Sequence, residues 1–468
     1  MPDLAPLTGL RWLLGCWIVV AHTSIASPLA AIGLHLGTGA PWLGLVVRAV
    51  ARAIDSCYLA TSGFLILGGY CLAWTAHDPA TGALRRSAAS FWRSRAVRFV
   101  PLLVLTQVLA LPFVLAGRGA QAGVPSVGSF LGNVAGLQAW VPAWTFTYNA
   151  PAWTLSVLFF CWLLYPAVAP RLLRLSPRAA TGALLACWVY GLLLATGYVL
   201  VSGLMTRSWP DGLPVGMSVL HVHPLVRAPE FFGGVLLAHL HRRGARLVSV
   251  PPLRFMAVAA VVIAAGMLAE GRLVPYALLH TGLLAPAIWA FVVAVVEVRR
   301  AGAPSRGLSA AGAARLVDLL ATPHLQRLGR AWFSLYLLHW VPLGAVLPAA
   351  RRLVHGLVDG ETRGVAAPPA TTLVDLVPCL AYALAATVAA VWFHERLLAP
   401  FTRWLDRRLA DGAVHVRGGV WPARERLARR ARRLAEDRYD WSRSGADLSN
   451  LLVRVSSPYR SGTRTAKS

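Results

Sequence analysis

Ten apolar stretches recur along the chain, at 10–33, 57–75, 97–117, 152–170, 181–202, 225–241, 254–271, 274–296, 331–350 and 373–396. A helix needs about 20 mostly apolar residues to cross a bilayer. Within lipid every backbone N–H and C=O must be paired inside the protein, which leaves helices or closed barrels. Runs of this length predict an all-α polytopic membrane protein of about ten transmembrane helices. The sixth stretch is the shortest and carries Glu230; the seventh and eighth are parted only by a tight link at Gly271 and Arg272. The first exceeds the apolar region of a secretory signal and more spans follow it, so an uncleaved first span is expected.

Composition agrees. Only 14% of residues are charged and 57% are hydrophobic, whereas soluble chains carry about 25% charged residues. The formal net charge of +26 raises a nucleic-acid partner as a first thought. Placement argues against it, because the basic residues sit in short clusters between apolar runs. Arginine supplies 44 of the 45 basic residues, Lys467 being the single lysine. With the N-terminus inside, the inner loops hold 18 arginines and the outer loops nine, Arg207 and Arg227 among the latter. That bias predicts both termini in the cytoplasm, and a multi-pass protein of the bacterial inner membrane. Residues 1–400 form the expected transmembrane core. Residues 401–468 form a basic cytoplasmic tail, helical in period to 440 and then polar enough to be disordered. Its 424–438 stretch is read either as lying on an anionic leaflet, at about 1 kcal/mol per basic residue, or as plainly solvated. The six cysteines show no C-x-x-C spacing and read as small hydrophobes.

Ionisable groups inside a span cost at least a few kcal/mol and mark function by default. His22 follows Arg11 by eleven residues, about 16 Å along a helix and close to three full turns, so the two share a face. Ser62 and Gly63 interrupt the second run. Arg93, Arg95 and Arg98 open the third at the cytoplasmic face, where guanidinium groups suit a phosphate-bearing ligand. Glu230 sits in the sixth run, and Ser334, Tyr336 and His339 in the ninth. His394-Glu395-Arg396 ends the tenth. A histidine satisfied by one hydrogen bond, ordinary positive-inside charge and an interfacial ion pair remain the plain alternatives.

Taken in order, these segments resemble the integral-membrane acyltransferase type 3 family, the polysaccharide and lipopolysaccharide O-acetylase group. Leu7-Thr8-Gly9-Leu10-Arg11, ten residues and His22 are similar to its first-span motif. Ser62-Gly63-Phe64-Leu65-Ile66 and Arg95-x-x-Arg98 are similar to the next two. Pro151-Ala152-Trp153-Thr154-Leu155-Ser156-Val157, Pro229-Glu230-Phe231, the stretch from Ser334 to Trp340 and Phe393-His394-Glu395-Arg396 complete the series. The resemblance implies about ten core helices, an acyl-coenzyme A donor taken from the cytoplasm and His22, Arg95 and Arg98 as functional residues. One departure stands out: where the family's fourth-span segment continues with glutamate, this chain has Leu158 and Phe159. Glu230 or Asp55 would have to substitute, or the acceptor differs.

Acyl transfer from a thioester to a hydroxyl needs a base for the hydroxyl proton and positive or donor groups for the oxyanion. His22 is the expected base, with Glu230 as a second catalytic group. Arg11, Arg93, Arg95 and Arg98 are expected to hold the acyl-coenzyme A co-substrate, with acetyl as the favoured acyl group. Ser62, Trp153, Ser334 and Tyr336 are expected to line the site of a glycan, glycolipid or small-molecule acceptor. No metal and no permanently bound cofactor is implied; the bilayer is the other partner. A transporter or flippase for an anionic substrate, or a non-catalytic relative serving as a membrane partner, stays open as an alternative.

Overall fold

The computed structural model describes residues 3–78, 81–117, 125–202, 215–244, 252–270, 273–301, 308–358 and 374–416. All regular structure among them is helical, with two isolated bridges and no strand. The helices are α1 Ala5–His22, α2 Ala26–Gly39, α3 Pro41–Asp55, α4 Tyr58–Ala76, α5 Ala88–Leu115, α6 Val127–Val134, α7 Trp153–Leu172, α8 Pro177–Ser202, α9 Val215–Val222 and α10 Pro224–Arg242. There follow α11 Pro252–Ala269, α12 Tyr276–Leu278 with a π-turn at Leu279–Leu283, α13 Ala285–Ala301, α14 Leu308–Leu320, α15 Pro323–Leu338, α16 Trp340–Val358, α17 Leu376–Phe393 and, after a π-turn at His394–Leu398, α18 Ala399–Val416. Local chemistry sets several starts. Ser87 and Thr322 cap α5 and α15 by accepting from the N–H of Ser90 and Leu325, and His223 Nδ1 caps α10 ahead of Pro224. Such caps satisfy donors that a helix start leaves unpaired.

Among the described residues six helices are long and apolar enough to cross a membrane, or eight if each of two bent pairs counts as one span. The sequence leads one to expect ten. The sixth and seventh expected spans exist as α10 and α11, but α10 carries Arg227, Glu230 and Arg242 and the apolar part of α11 is short. Met1–Asp406 forms one compact unit. Arg407–Ser468 forms a second, in which only the end of α18 is described. The expected amphipathic stretch at 424–438 and the polar end of the tail lie outside the described residues, as does the link at Gly271 and Arg272.

Two close helix contacts place the site. A Cβ on Gly69 would fall 1.8 Å from Phe231 O, and one on Gly234 2.2 Å from Ile66 O; only glycine lets α4 and α10 approach this far. Likewise Gly9 and Gly329 bring α1 against Leu320 and α15 against Thr8. Gly329 lies beside Thr8 while His339 lies beside His22, so α1 and α15 run in the same direction.

The expected continuous first, eighth and ninth spans are broken. α1 stops at His22, and Ser24 takes φ 59° before α2 begins. α15 stops before His339, and α16 leaves at 73°. The π-turn after α12 holds Gly282 at φ 109°, and the two halves of that span differ by 42°. Irregular backbone at membrane depth persists only where protein or a cavity surrounds it. Each break has a histidine at it: His22, His339 and His280.

Candidate active site

The site is assembled from helix ends. His22 Nδ1 lies 2.9 Å from His339 Nε2, and the ring centroids lie 5.2 Å apart with 18° between their planes. Trp340 presents its edge to His22 at 4.8 Å. His339 is buried; its Nδ1 is 3.0 Å from Leu335 O, one turn back along α15. The Tyr382 hydroxyl from α17 donates to the carbonyl of His339. His22 as a whole residue stays partly exposed. Its helix end is tied down by Arg351 and Cys379, which reach the carbonyl of Thr23 at 3.1 and 3.3 Å. Thr23 O is one of the carbonyls that a helix C-terminus leaves without an intrahelical partner.

Beside this pair lies a second polar group, within electrostatic reach of His22 through His221. Arg227 and Glu230 are both buried on α10, 3.0 Å apart. Ser62 donates to Glu230 Oε1 at 3.0 Å and accepts from Arg227 at 3.1 Å. Arg227 also donates to His280 O at 2.6 Å. His280 stacks on His221 at 3.9 Å, and Trp153 packs against His221 at 5.2 Å. Further along, Tyr58 tilts against His280 and donates to Glu270, which Arg52 approaches from α3.

The arginines gather at the other end of α1. Arg95 lies within electrostatic reach of Arg98, Arg86 and Arg11, and Arg98 of Arg11 and His394. Arg11 donates to Leu67 O at 3.4 Å. Arg95 also sits over the rings of Phe91 and Trp162, at 5.2 and 5.9 Å. Arg98 is exposed, and neither Arg95 nor Arg98 has a carboxylate partner among the described residues. Arg95 Nε is buried without a hydrogen-bond partner. Like charges held together without an acid are what an anion site requires.

The sequence-predicted residues therefore separate. Arg11, Arg95 and Arg98 come together, whereas Arg93 turns to Asp406 at 3.6 Å. Ser62 joins Glu230, and Trp153 joins His221. Tyr336 donates to Pro151 O at 3.0 Å, with its ring 6.4 Å from that of His339. Ser334 points the other way, 3.3 Å from His394 Nδ1 and so toward the arginine end. Neither offered carboxylate is bonded to His22: Glu230 is held by Arg227 and Ser62, and Asp55 is exposed at the end of α3. Sequence reasoning missed Arg227, counted with the outer loop, and missed His221, His280 and Glu270. The available signal was an ionisable residue within three positions of a proline or glycine in an apolar run, as His221 and Arg227 are of Pro224 and His280 is of Gly282.

Apolar helices long enough to cross a membrane, a basic end and a histidine pair at a break in the first helix define a membrane protein with a buried polar site. Residues 5–393 match the family model described as an acyltransferase domain; the chain belongs to the acyltransferase type 3 family and is a multi-pass membrane acyltransferase. It is similar to Acyltransferase MdmB of Streptomyces mycarofaciens, with 27% identity over 423 residues, covering 86% of this chain and 93% of that protein. No solved structure matches the chain.

Proposed function

We propose that the protein moves a short acyl group, acetyl in the first instance, from cytoplasmic acyl-coenzyme A to a hydroxyl of a cell-envelope glycan, glycolipid or related small molecule. The observation that carries this reading is the separation along α1: unpaired arginines around Arg11 at one end, a partly exposed His22 at the other. Coenzyme A phosphates dock on Arg95, Arg98 and Arg11, and the pantetheine arm runs inward toward His22. His22 takes the acceptor proton as the hydroxyl oxygen attacks the thioester carbon. The carbon–sulfur bond then breaks, and the proton passes to the departing thiolate, giving an ester and free coenzyme A. The polar group of Ser62, Arg227, His280, His221 and Trp153 lies on the acceptor side.

Ten spans with both ends in the cytoplasm belong to the same reading, as does a bacterial inner membrane location. A reporter fused after Ser468 is expected inside, and a label placed at 119–123 outside; the reverse at both sites would overturn the donor side. For the chemistry, purified protein is given radiolabelled acetyl-coenzyme A together with extracted membranes. Release of free thiol with label entering an ester fraction is the expected result. Movement of a substrate across vesicles with no donor consumed would mean a transporter instead.

A further inference from the structure

The mechanism above needs a free, correctly aimed nitrogen on His22, and the hydrogen bonds around the pair decide which nitrogen that is. A neutral imidazole has one N–H and one lone pair, and the partner of one nitrogen fixes the state of the other. Leu335 O is a carbonyl and can only accept. The Nδ1 of His339, 3.0 Å away, therefore carries the hydrogen. His339 is 1% exposed, and no carboxylate is bonded to it among the described residues. Its ring is accordingly neutral, because a buried charge without a counter-charge is costly. Its Nε2 is then a lone pair, and the contact of 2.9 Å to His22 requires His22 Nδ1 to donate. What is left on His22 is a bare Nε2.

We infer that His339 is the positioning residue for His22, accepting its Nδ1–H and so presenting Nε2 as the nitrogen that takes the acceptor proton. This rests on the reading of His22 as the base. The arrangement gives the bend after α15 a purpose. The helix stops at His339, the Tyr382 hydroxyl takes up the carbonyl at the break, and the ring remains locked to Leu335 on its own helix. The two rings lie nearly coplanar, 18° apart with centroids at 5.2 Å, as that in-plane bond requires, and Trp340 packs at a steep angle against His22 at 4.8 Å. A neutral acceptor steadies the imidazolium that forms during transfer less than a carboxylate does, so its main work is orientation and choice of tautomer.

The test has a readout that needs no acceptor. Protein labelled with nitrogen-15 histidine is examined by NMR in detergent, with the His22 signals identified by difference against His22→Asn. The expected result is a protonated Nδ1 and a bare Nε2 on His22. His339→Leu should abolish that preference and lower kcat about 10- to 100-fold, the range for losing a partner that orients a functional histidine. The KM for acetyl-coenzyme A should stay unchanged. His339→Gln, whose amide oxygen accepts a hydrogen bond, should recover most of the loss. A bare Nδ1 on His22 in the unaltered protein overturns the inference, and so does full kcat in His339→Leu when His22→Ala is inactive. Retained turnover in His22→Ala instead removes the base assignment beneath it. If His339→Leu does not fold, the tautomer of the unaltered protein decides alone.

Discussion

Two places in this molecule bring histidines to a broken helix inside an apolar interior, and they are finished in opposite ways. Where α1 meets α15, His22 and His339 face each other with no carboxylate bonded to either among the described residues, and His22 remains partly exposed. Where α10 meets the turn after α12, His280 and His221 stack beside an arginine and a glutamate that neutralise each other. The first place has no counter-charge at the pair; the second balances its charge through Arg227 and Glu230, although His280 Nε2 and Arg227 Nε are buried there without a hydrogen-bond partner. Buried ionisable residues are thus not uniformly catalytic. On the proposed reading, the pairing around each one separates a group that reacts from a group that holds shape and polarity.

That difference is most easily broken at α10. Glu230→Ala would leave the guanidinium of Arg227 buried without a counter-charge, a defect that costs roughly 3–5 kcal/mol. A large fall in thermal stability in detergent is expected, together with loss of activity through misfolding. The double variant Arg227→Leu with Glu230→Leu should regain much of the stability, because apolar replacement of a whole buried pair is often neutral. Equal stability of Glu230→Ala and the unaltered protein would show that the pair is not closed as described.

The histidine pair should behave in the reverse manner. His22→Ala is expected to leave melting in detergent nearly unchanged and to reduce acyl transfer about a hundredfold or more, as loss of a general base does. The measurement is turnover of radiolabelled acetyl-coenzyme A per folded protein. Near-normal turnover would end the assignment of His22.

The sequence makes the helical class, most span positions and the outlying residues of α1 legible, because apolar run length and a lone histidine are local signals. Breaks were harder. The run from 10 to 33 contains no proline before Pro28 and no charge after Arg11, so nothing in its composition announces the turn at Ser24. The groups that meet the carbonyl freed at that turn, Arg351 and Cys379 on Thr23, lie elsewhere in the chain. Arg227 was hidden for another reason. It lies two residues inside the expected sixth run at 225–241 but counts with the preceding loop in the arginine tally, so its place three residues before Glu230 on one face of α10 goes unread. His339 was visible as a residue of the ninth run, while its bond to His22 spans 317 positions and belongs to packing alone.

The arginine end offers a smaller and finer test of open against closed charge. Exchanging both Arg95 and Arg98 for lysine keeps the positive-inside signal and removes the planar fork that grips two phosphate oxygens. A charged hydrogen bond is worth roughly 1.5–3 kcal/mol. Losing part of that predicts about a tenfold weaker binding of coenzyme A to purified protein, with insertion unchanged. Equal affinity would reduce these residues to topology signals.

Arg93 should mark the lower limit of the series. It shares the Arg-x-Arg spacing with Arg95 and looks equivalent in sequence, but its side chain faces Asp406 at 3.6 Å across a partly exposed gap. A charge already answered by a carboxylate has less to offer a phosphate, and an exposed pair contributes only about 0–1 kcal/mol to stability. Arg93→Lys is therefore expected to change coenzyme A affinity less than about twofold, the effect of a few tenths of a kcal/mol. Isothermal titration with coenzyme A, run beside the Arg95 and Arg98 double variant in the same detergent, measures both. A loss for Arg93→Lys as large as that of the double variant would mean that Asp406 releases Arg93 when the donor arrives, and that the closed pair at this end opens in use.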